Sequence, residues 1–201
     1  VYVFDTPGQP SVFIRTPNDR RILIGGGANA DIIRRLTSVL PFYSRRIDMV
    51  IVPDTDAKNV TGLVEAVERY SVTKVLVPEV TLMSLGLSTS TDPAYEAFNK
   101  ALEDRAVPVA QISPDMLLSL DHDVNMSVLF PADPASFKYS KASGPSLVFK
   151  IEYGSTSILF MGSAAPKIQK LIASSSDTRA DALVVSHSLS ASNVAKDLFT
   201  K

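Results

Sequence analysis

Along the chain, the spacing of apolar positions alternates between the strand and the helix period. The first 25 residues hold three short apolar runs, "VYVFD", "SVFIR" and "RILIG", separated by "TPGQP" and "TPNDR". Turn formers between alternating runs predict an antiparallel meander. In "GGGANADIIRRLTSVLPF", Ile32, Ile33, Leu36 and Leu40 fall on one helical face, with Asn29 or Asp31 as cap and Pro41 as stop. "RIDMVIVP" is continuous and apolar, the pattern of one strand covered on both faces. The next helix sets Leu63, Ala66, Val67 and Tyr70 to one side, and "KVLVP" is another strand. "TLMSLGLSTST" reads as loop. In "DPAYEAFNKALEDR", Asp92 caps and Pro93 takes the first helical position, where its missing N–H costs nothing; Tyr95, Phe98 and Leu102 form the apolar stripe. "VPVAQI", "LLSL" and "NMSVLFP" predict strands, and "SLVFKIEYGSTSILFMG" two strands around "YGS". "APKIQKLIAS" predicts a helix with Ile168, Leu171 and Ile172 inward. "DALVVSH" predicts a strand and "SNVAKDLF" a closing helix. The stretch Pro131–Pro145 is expected to be a mobile loop.

Strands, then alternating strands and helices, then strands again, make an α/β layered domain with mixed sheets. A single domain over residues 1–201 is expected, since 201 residues at 45% hydrophobic can build one sizeable core. A net charge of -1 supplies no global field for phosphate neutralisation. The absence of cysteine excludes disulfides, thiolate metal sites and a cysteine nucleophile. No run of ~18 apolar residues is present, so this segment is not expected to insert into a membrane. The chain opens directly in a strand, and the expectation is a domain cut from a longer protein.

Several stretches resemble one family, the metallo-β-lactamase-like domain of the ComEC type. "VYVFDTPGQPSVFIRTPNDRRILIGGG" is similar to its F-x-D-V-G-Q-G-D opening, which runs to L-I-D-G-G. "PFYSRRIDMVIVPDTDAKNVTGL" is similar to its P-F-x-x-R-x-I-D-x-V-I-x-T-H-P-D-A-D-H-x-G-G-L segment. "GPSLVFKIEYGSTSILFMGSA" resembles its S-L-V…Y-G…F-L-F-T-G-D segment, and "RADALVVSHSLSAS" its A-D-x-L-x-V-x-H-H-G-S segment. The resemblance covers nearly the whole chain in order. It implies a four-layer αβ/βα metallo-β-lactamase-like sandwich with mixed sheets, truncated at the C-terminus relative to the family. It also implies a bacterial source, DNA uptake and competence as the family setting, and an extracytoplasmic domain of a membrane-anchored protein.

Members that keep the motif hold two metal ions, zinc or manganese, which activate a water and clamp a phosphate or carbonyl. In this chain the H-x-D-A-D-H positions read Asp54, Thr55, Asp56, Ala57, Lys58, Asn59. The resemblance aligns the later bridging aspartate with Ser163, the histidine pair with His187–Ser188, and the aspartate of L-I-D-G-G with Gly25. Lys58 changes the electrostatics most. A unit cation about 4 Å away is repelled by roughly 4 kcal/mol at an effective dielectric near 20, and a divalent ion doubles that. No metal is therefore expected. Asp54, Asp56, Lys58, Asn59, Ser163 and His187 are read as a vestigial pocket in a metal-free pseudo-enzyme that binds, scaffolds or regulates, beside a protein partner or an active paralogue. The alternative is a metal-dependent hydrolase, a phosphodiesterase or nuclease, holding one zinc or manganese ion on Asp54, Asp56 and His187. A salt bridge from Lys58 to Asp54 or Asp56 would exclude that alternative. A missing ligand lying beyond Lys201 would weaken the metal-free reading.

Blander readings stand beside these. Asp54 and Asp56 can cap the following helix, His187 can be a hydrogen-bonded structural residue, and His122 in "DHD" sits in a solvated turn. Gly25, Gly26 and Gly27 make a tight turn that can also bind an anion through backbone N–H groups. "GGGANA" with Asp48 has the outline of a dinucleotide fingerprint, but a meander precedes it rather than a βαβ unit. Asp54, Asp56 and Glu65 match calcium-loop positions, but Lys58 and Asn59 occupy a ligand position and the glycine position. No G-x-S-x-G occurs, and neither Ser186 nor Ser188 can serve as a dyad with His187 by adjacency, since neighbours on a strand point to opposite faces. Arg34, Arg35, Arg45 and Arg46 could touch nucleic acid, although a solvated surface accounts for them.

Overall fold

A computed structural model describes residues 1–81, 86, 92–131, 138, 146–175 and 177–186. The chain divides into two compact units, Val1–Val77 with Ser90–Gln111, and Pro78–Thr89 with Ile112–Lys201.

The first unit begins with the expected meander: β1 (Tyr2–Phe4), β2 (Ser11–Arg15) and β3 (Arg21–Ile24), paired antiparallel. Helix α1 (Asp31–Val39) follows, then β4 (Arg46–Ile47), β5 (Met49–Ile51), α2 (Ala57–Arg69), β6 (Ser71–Val72), β7 (Val75–Pro78), α3 (Pro93–Asp104) and β8 (Val109–Ile112). The main sheet has the order β1-β2-β3-β5-β7-β8, with β3, β5 and β7 parallel, while β4 and β6 make a separate ribbon. "RIDMVIVP" is thus two strands. Asp48 separates them: its N–H donates to Arg21 O and its carboxylate accepts from Arg21 N–H. Val50, Ile51 and Val52 are fully buried, as the apolar run predicts. Phe13, Leu23, Val50 and Val75 pack with Ile32 and Leu36 of α1, Leu63, Ala66 and Val67 of α2, and Phe98 and Leu102 of α3. Leu36 and Leu63 fall where the 3.6-residue spacing puts them. Asp92 caps α3 by accepting from Ala94 N–H, with Pro93 in the first turn. α1 is capped differently from the expectation. Its N-cap is Ala30, and Asn29 Oδ1 accepts from Asp31 N–H one step earlier.

The second unit holds β9 (Leu117–Asp121), β10 (Val124–Phe130), β11 (Val148–Tyr153), β12 (Thr156–Gly162), α4 (Pro166–Ser175) and β13 (Ala182–Val185). Its sheet has the order β13-β12-β11-β10-β9, all antiparallel except β12 with β13. The β11–β12 hairpin turns at Gly154, whose φ of 57° suits a residue without Cβ. Ile168 and Ile172 of α4 pack on Val148, Leu159 and Met161. Leu171 does not: it is exposed, and Gln169 is buried in its stead, with its amide donating to Ala164 O. His122 is exposed in its turn beside Asp123, as expected. The expected closing helix, most of "TLMSLGLSTST" and most of Pro131–Pro145 lie outside the described residues. Among the described residues no helix is long and apolar enough to cross a membrane.

Candidate functional site

β5 runs into α2 through residues 52–56, at the C-terminal end of a parallel strand. Open α/β sheets place their ligand sites at such ends. This loop contains Asp54 and Asp56, and two glycine-bearing loops of the same unit pack against it. Gly25 N–H donates to Ile51 O at 3.1 Å and Gly26 N–H to Asn59 O at 2.8 Å, while Gly62 N–H of α2 donates to Gly27 O at 3.0 Å. These amides therefore tie the glycine turn to β5 and α2. In the preceding loop, Thr6 Oγ1 donates to Gln9 O at 2.6 Å and lies 2.9 Å from Ser11 Oγ. Lys58 packs its Cβ against Gly8 of that loop.

The loop spends its polar groups largely on itself. Asp56 is the N-cap of α2, in extended geometry, and its Oδ1 accepts from Lys58 N–H at 2.9 Å. Capping satisfies one of the helix's orphan donors and sets a carboxylate on the positive end of its dipole. Asp54 is half-buried, and its Oδ1 accepts from Asp56 N–H at 3.0 Å and from Asn59 Nδ2 at 2.8 Å. Asn59 is buried, 5% exposed. Lys58 is exposed, and among the described residues its ammonium forms no ion pair with Asp54 or Asp56. The salt bridge that would have excluded a bound metal is not made. Asn59, not Lys58, ties down Asp54.

Ser163 belongs to the second unit, just after β12. Its N–H donates to Ser146 Oγ at 3.2 Å, and the two hydroxyls are also 3.2 Å apart. Ser146 was not singled out in the sequence. Its only signal there is its place at the head of the "SLV" stretch. His187 lies outside the described residues.

Asp54, Asp56, Lys58 and Asn59 do not fit the two-metal centre that the sequence resemblance implies. Zinc and manganese take imidazole and carboxylate lone pairs, whereas Asn59 turns an N–H donor toward Asp54. Among the described residues no group of three histidine, aspartate or glutamate side chains could hold a metal ion. The capping role carries a prediction. Asp56→Ala is expected to lower stability by about 1 kcal/mol, the usual cost of a lost N-cap, in urea unfolding followed by circular dichroism, and Asp56→Asn to recover most of it.

The basic residues are largely paired. Arg34 and Arg35 both bond Asp31, and Arg46 bonds Asp48.

No protein-family model and no curated protein matches the chain. Solved structures do. The metallo-β-lactamase MIM-2 superposes with a TM-score of 0.59 at 13% identity, covering 90% of this chain and 70% of that one. A mutant of the CmlA β-hydroxylase gives 0.55 at 17% identity, over 90% of this chain and 34% of its own. Zinc-bound PqqB from Methylobacterium extorquens gives 0.52 at 16% identity, over 87% and 56%. This chain therefore spans about half or less of the last two. The likeness is one of fold: the chain has the α/β metallo-β-lactamase fold, with mixed sheets, as the sequence resemblance implied.

Proposed function

We propose that this chain is a metallo-β-lactamase-fold domain related to the ComEC-type hydrolases that works without metal, in a binding, scaffolding or regulatory role. Residues 1–201 would then serve as one domain, acting on a protein partner or beside an active paralogue. One observation carries the reading: Asn59 and Asp54, at the two histidine positions of the motif, hydrogen-bond each other at 2.8 Å. Their polar atoms satisfy one another where active relatives offer lone pairs to a metal. The cap formed by Asp56 supports the same reading, since its Oδ1 is held by the helix. Gly25, Gly26 and Gly27 are assigned to packing. Ser163 and His187 complete the proposed vestigial set in the other unit. Nucleic acid is a weaker partner, because Asp31 and Asp48 neutralise most of the candidate arginines.

A second reading keeps a foothold in Lys58. Because that ammonium does not lock the carboxylates, a single zinc or manganese ion on Asp54, Asp56 and His187 would leave a reduced hydrolase. Thermal unfolding separates the two. The metal-free reading predicts the same midpoint in excess zinc, in excess manganese and in chelator. An ion bound only by the folded state at a hundredfold its Kd would add about 2.7 kcal/mol, and the midpoint would rise by several degrees.

A further inference from the structure

The turn between α1 and β4 displays two aromatic side chains to solvent. Phe42 is 91% exposed and Tyr43 77%. Their rings meet edge to face, with centroids 5.4 Å apart. The turn holds them there: Ser44 N–H donates to Pro41 O at 2.8 Å, Ser71 N–H donates to Arg45 O at 2.6 Å, and Arg21 Nη1 donates to Ser44 Oγ. Two neighbouring rings left in water keep unfavourable apolar hydration that burial elsewhere in the fold would have relieved.

Arg45 and Arg46 follow the rings in the chain, and the flanking carboxylates Asp31 and Asp48 pair with Arg34, Arg35 and Arg46 but not with Arg45. Arg45 is exposed and makes no ion pair among the described residues. Arg46 is also exposed, and its carboxylate Asp48 is recessed, with 12% of its side chain exposed.

We propose that this turn docks on an anionic lipid surface, with Phe42 and Tyr43 entering the interfacial layer and Arg45 facing headgroup phosphates. Aromatic rings concentrate at that depth, and juxtaposed cations are drawn to anionic headgroups. A projecting pair of rings needs a soft acceptor or a matching cleft, and a bilayer accepts it anywhere on its surface. A small anchor of this kind binds weakly and reversibly.

Co-sedimentation with vesicles tests this, using phosphatidylcholine alone and phosphatidylcholine with about a third phosphatidylglycerol, the composition that supplies the surface charge. The chain is expected to pellet with the anionic vesicles at low salt, to remain largely in solution with neutral ones, and to be released as salt shortens the screening length. Phe42→Ser with Tyr43→Ser is expected to cut the bound fraction about tenfold or more, as befits loss of both inserted rings. Arg45→Gln is expected to cut it severalfold. All three side chains are exposed, so an unchanged thermal midpoint shows that the variants remain folded. The proposal is overturned if the chain stays in solution with both vesicle types, as it would if the turn fitted an acidic protein cleft instead. Equal binding to neutral vesicles, or a double variant that pellets like the parent, overturns it as well.

Discussion

Gly62→Ala is expected to unfold the first unit or to destabilise it by at least about 3 kcal/mol, at the upper end of what overpacking costs. Helix propensity alone gives the opposite sign, because alanine replaces glycine inside α2 with a gain of about 1 kcal/mol. Sterics decide the outcome. A Cβ on Gly62 would lie 1.9 Å from Gly26 O and 2.6 Å from Asn29 O, and a Cβ on Gly26 would lie 2.4 Å from Leu63 N. All three contacts are to backbone, so no side chain can swing aside. The same approach lets Gly62 N–H reach Gly27 O and Gly26 N–H reach Asn59 O. Separating α2 from the glycine turn would break both bonds and shift the loop of Asp54 and Asn59. Chemical denaturation followed by circular dichroism measures the loss, and a variant as stable as the parent would show that α2 and the turn do not approach this closely.

Phe149→Ala in the second unit is expected to cost about 3–5 kcal/mol, the range for removing a buried phenylalanine. Phe149 is 1% exposed and stacks on Phe160 across the β11–β12 pair, with centroids 4.7 Å apart and planes 13° from parallel. The loss has two parts: the cavity left by the ring, and the stacking, which contributes about 0.5–1.5 kcal/mol beyond area. Phe149→Leu fills much of the volume and should recover more than half of the loss. A cost below about 1 kcal/mol for the alanine variant would mean that the site collapses onto Phe160, in conflict with close packing.

The sequence shows most clearly where a period is long and its punctuation chemical. The inward faces of α2 and α3 followed from the 3.6-residue spacing, and the start of α3 from Asp92 and Pro93. The meander followed from its turn formers. Hydrogen bonds between distant residues were the hidden part. Nothing in the apolar run "RIDMVIVP" reveals that Arg21 O accepts from Asp48 N–H while Arg21 N–H donates to the Asp48 carboxylate, which divides the run into β4 and β5. Gln169 reads as a surface residue until Ala164 O satisfies its amide, after which it can be buried while Leu171 faces water.

The loop between β5 and α2 was legible, because an apolar run ends at Pro53 and a helical period follows it; the resemblance alone sets its residues against a metal-ligand motif. Which substituted residue pairs with which was not legible. Lys58 stands in the sequence as a cation among carboxylates, yet it is exposed, and the neutral Asn59 holds Asp54. Ser146 is not legible as a site residue, since a serine before a strand carries no signal of its own. Its bond to Ser163 appears only when residues 17 apart in sequence meet.

Metal content tests the central claim most directly. Protein purified without an affinity tag would be dialysed against zinc and manganese, freed of excess ions, and counted by elemental mass spectrometry. The metal-free account predicts less than about a tenth of an equivalent of either ion, too little to supply the activated water that metal-assisted hydrolysis draws on. One equivalent that disappears on Asp56→Ala or His187→Ala would contradict the account and would make phosphodiester substrates the next test.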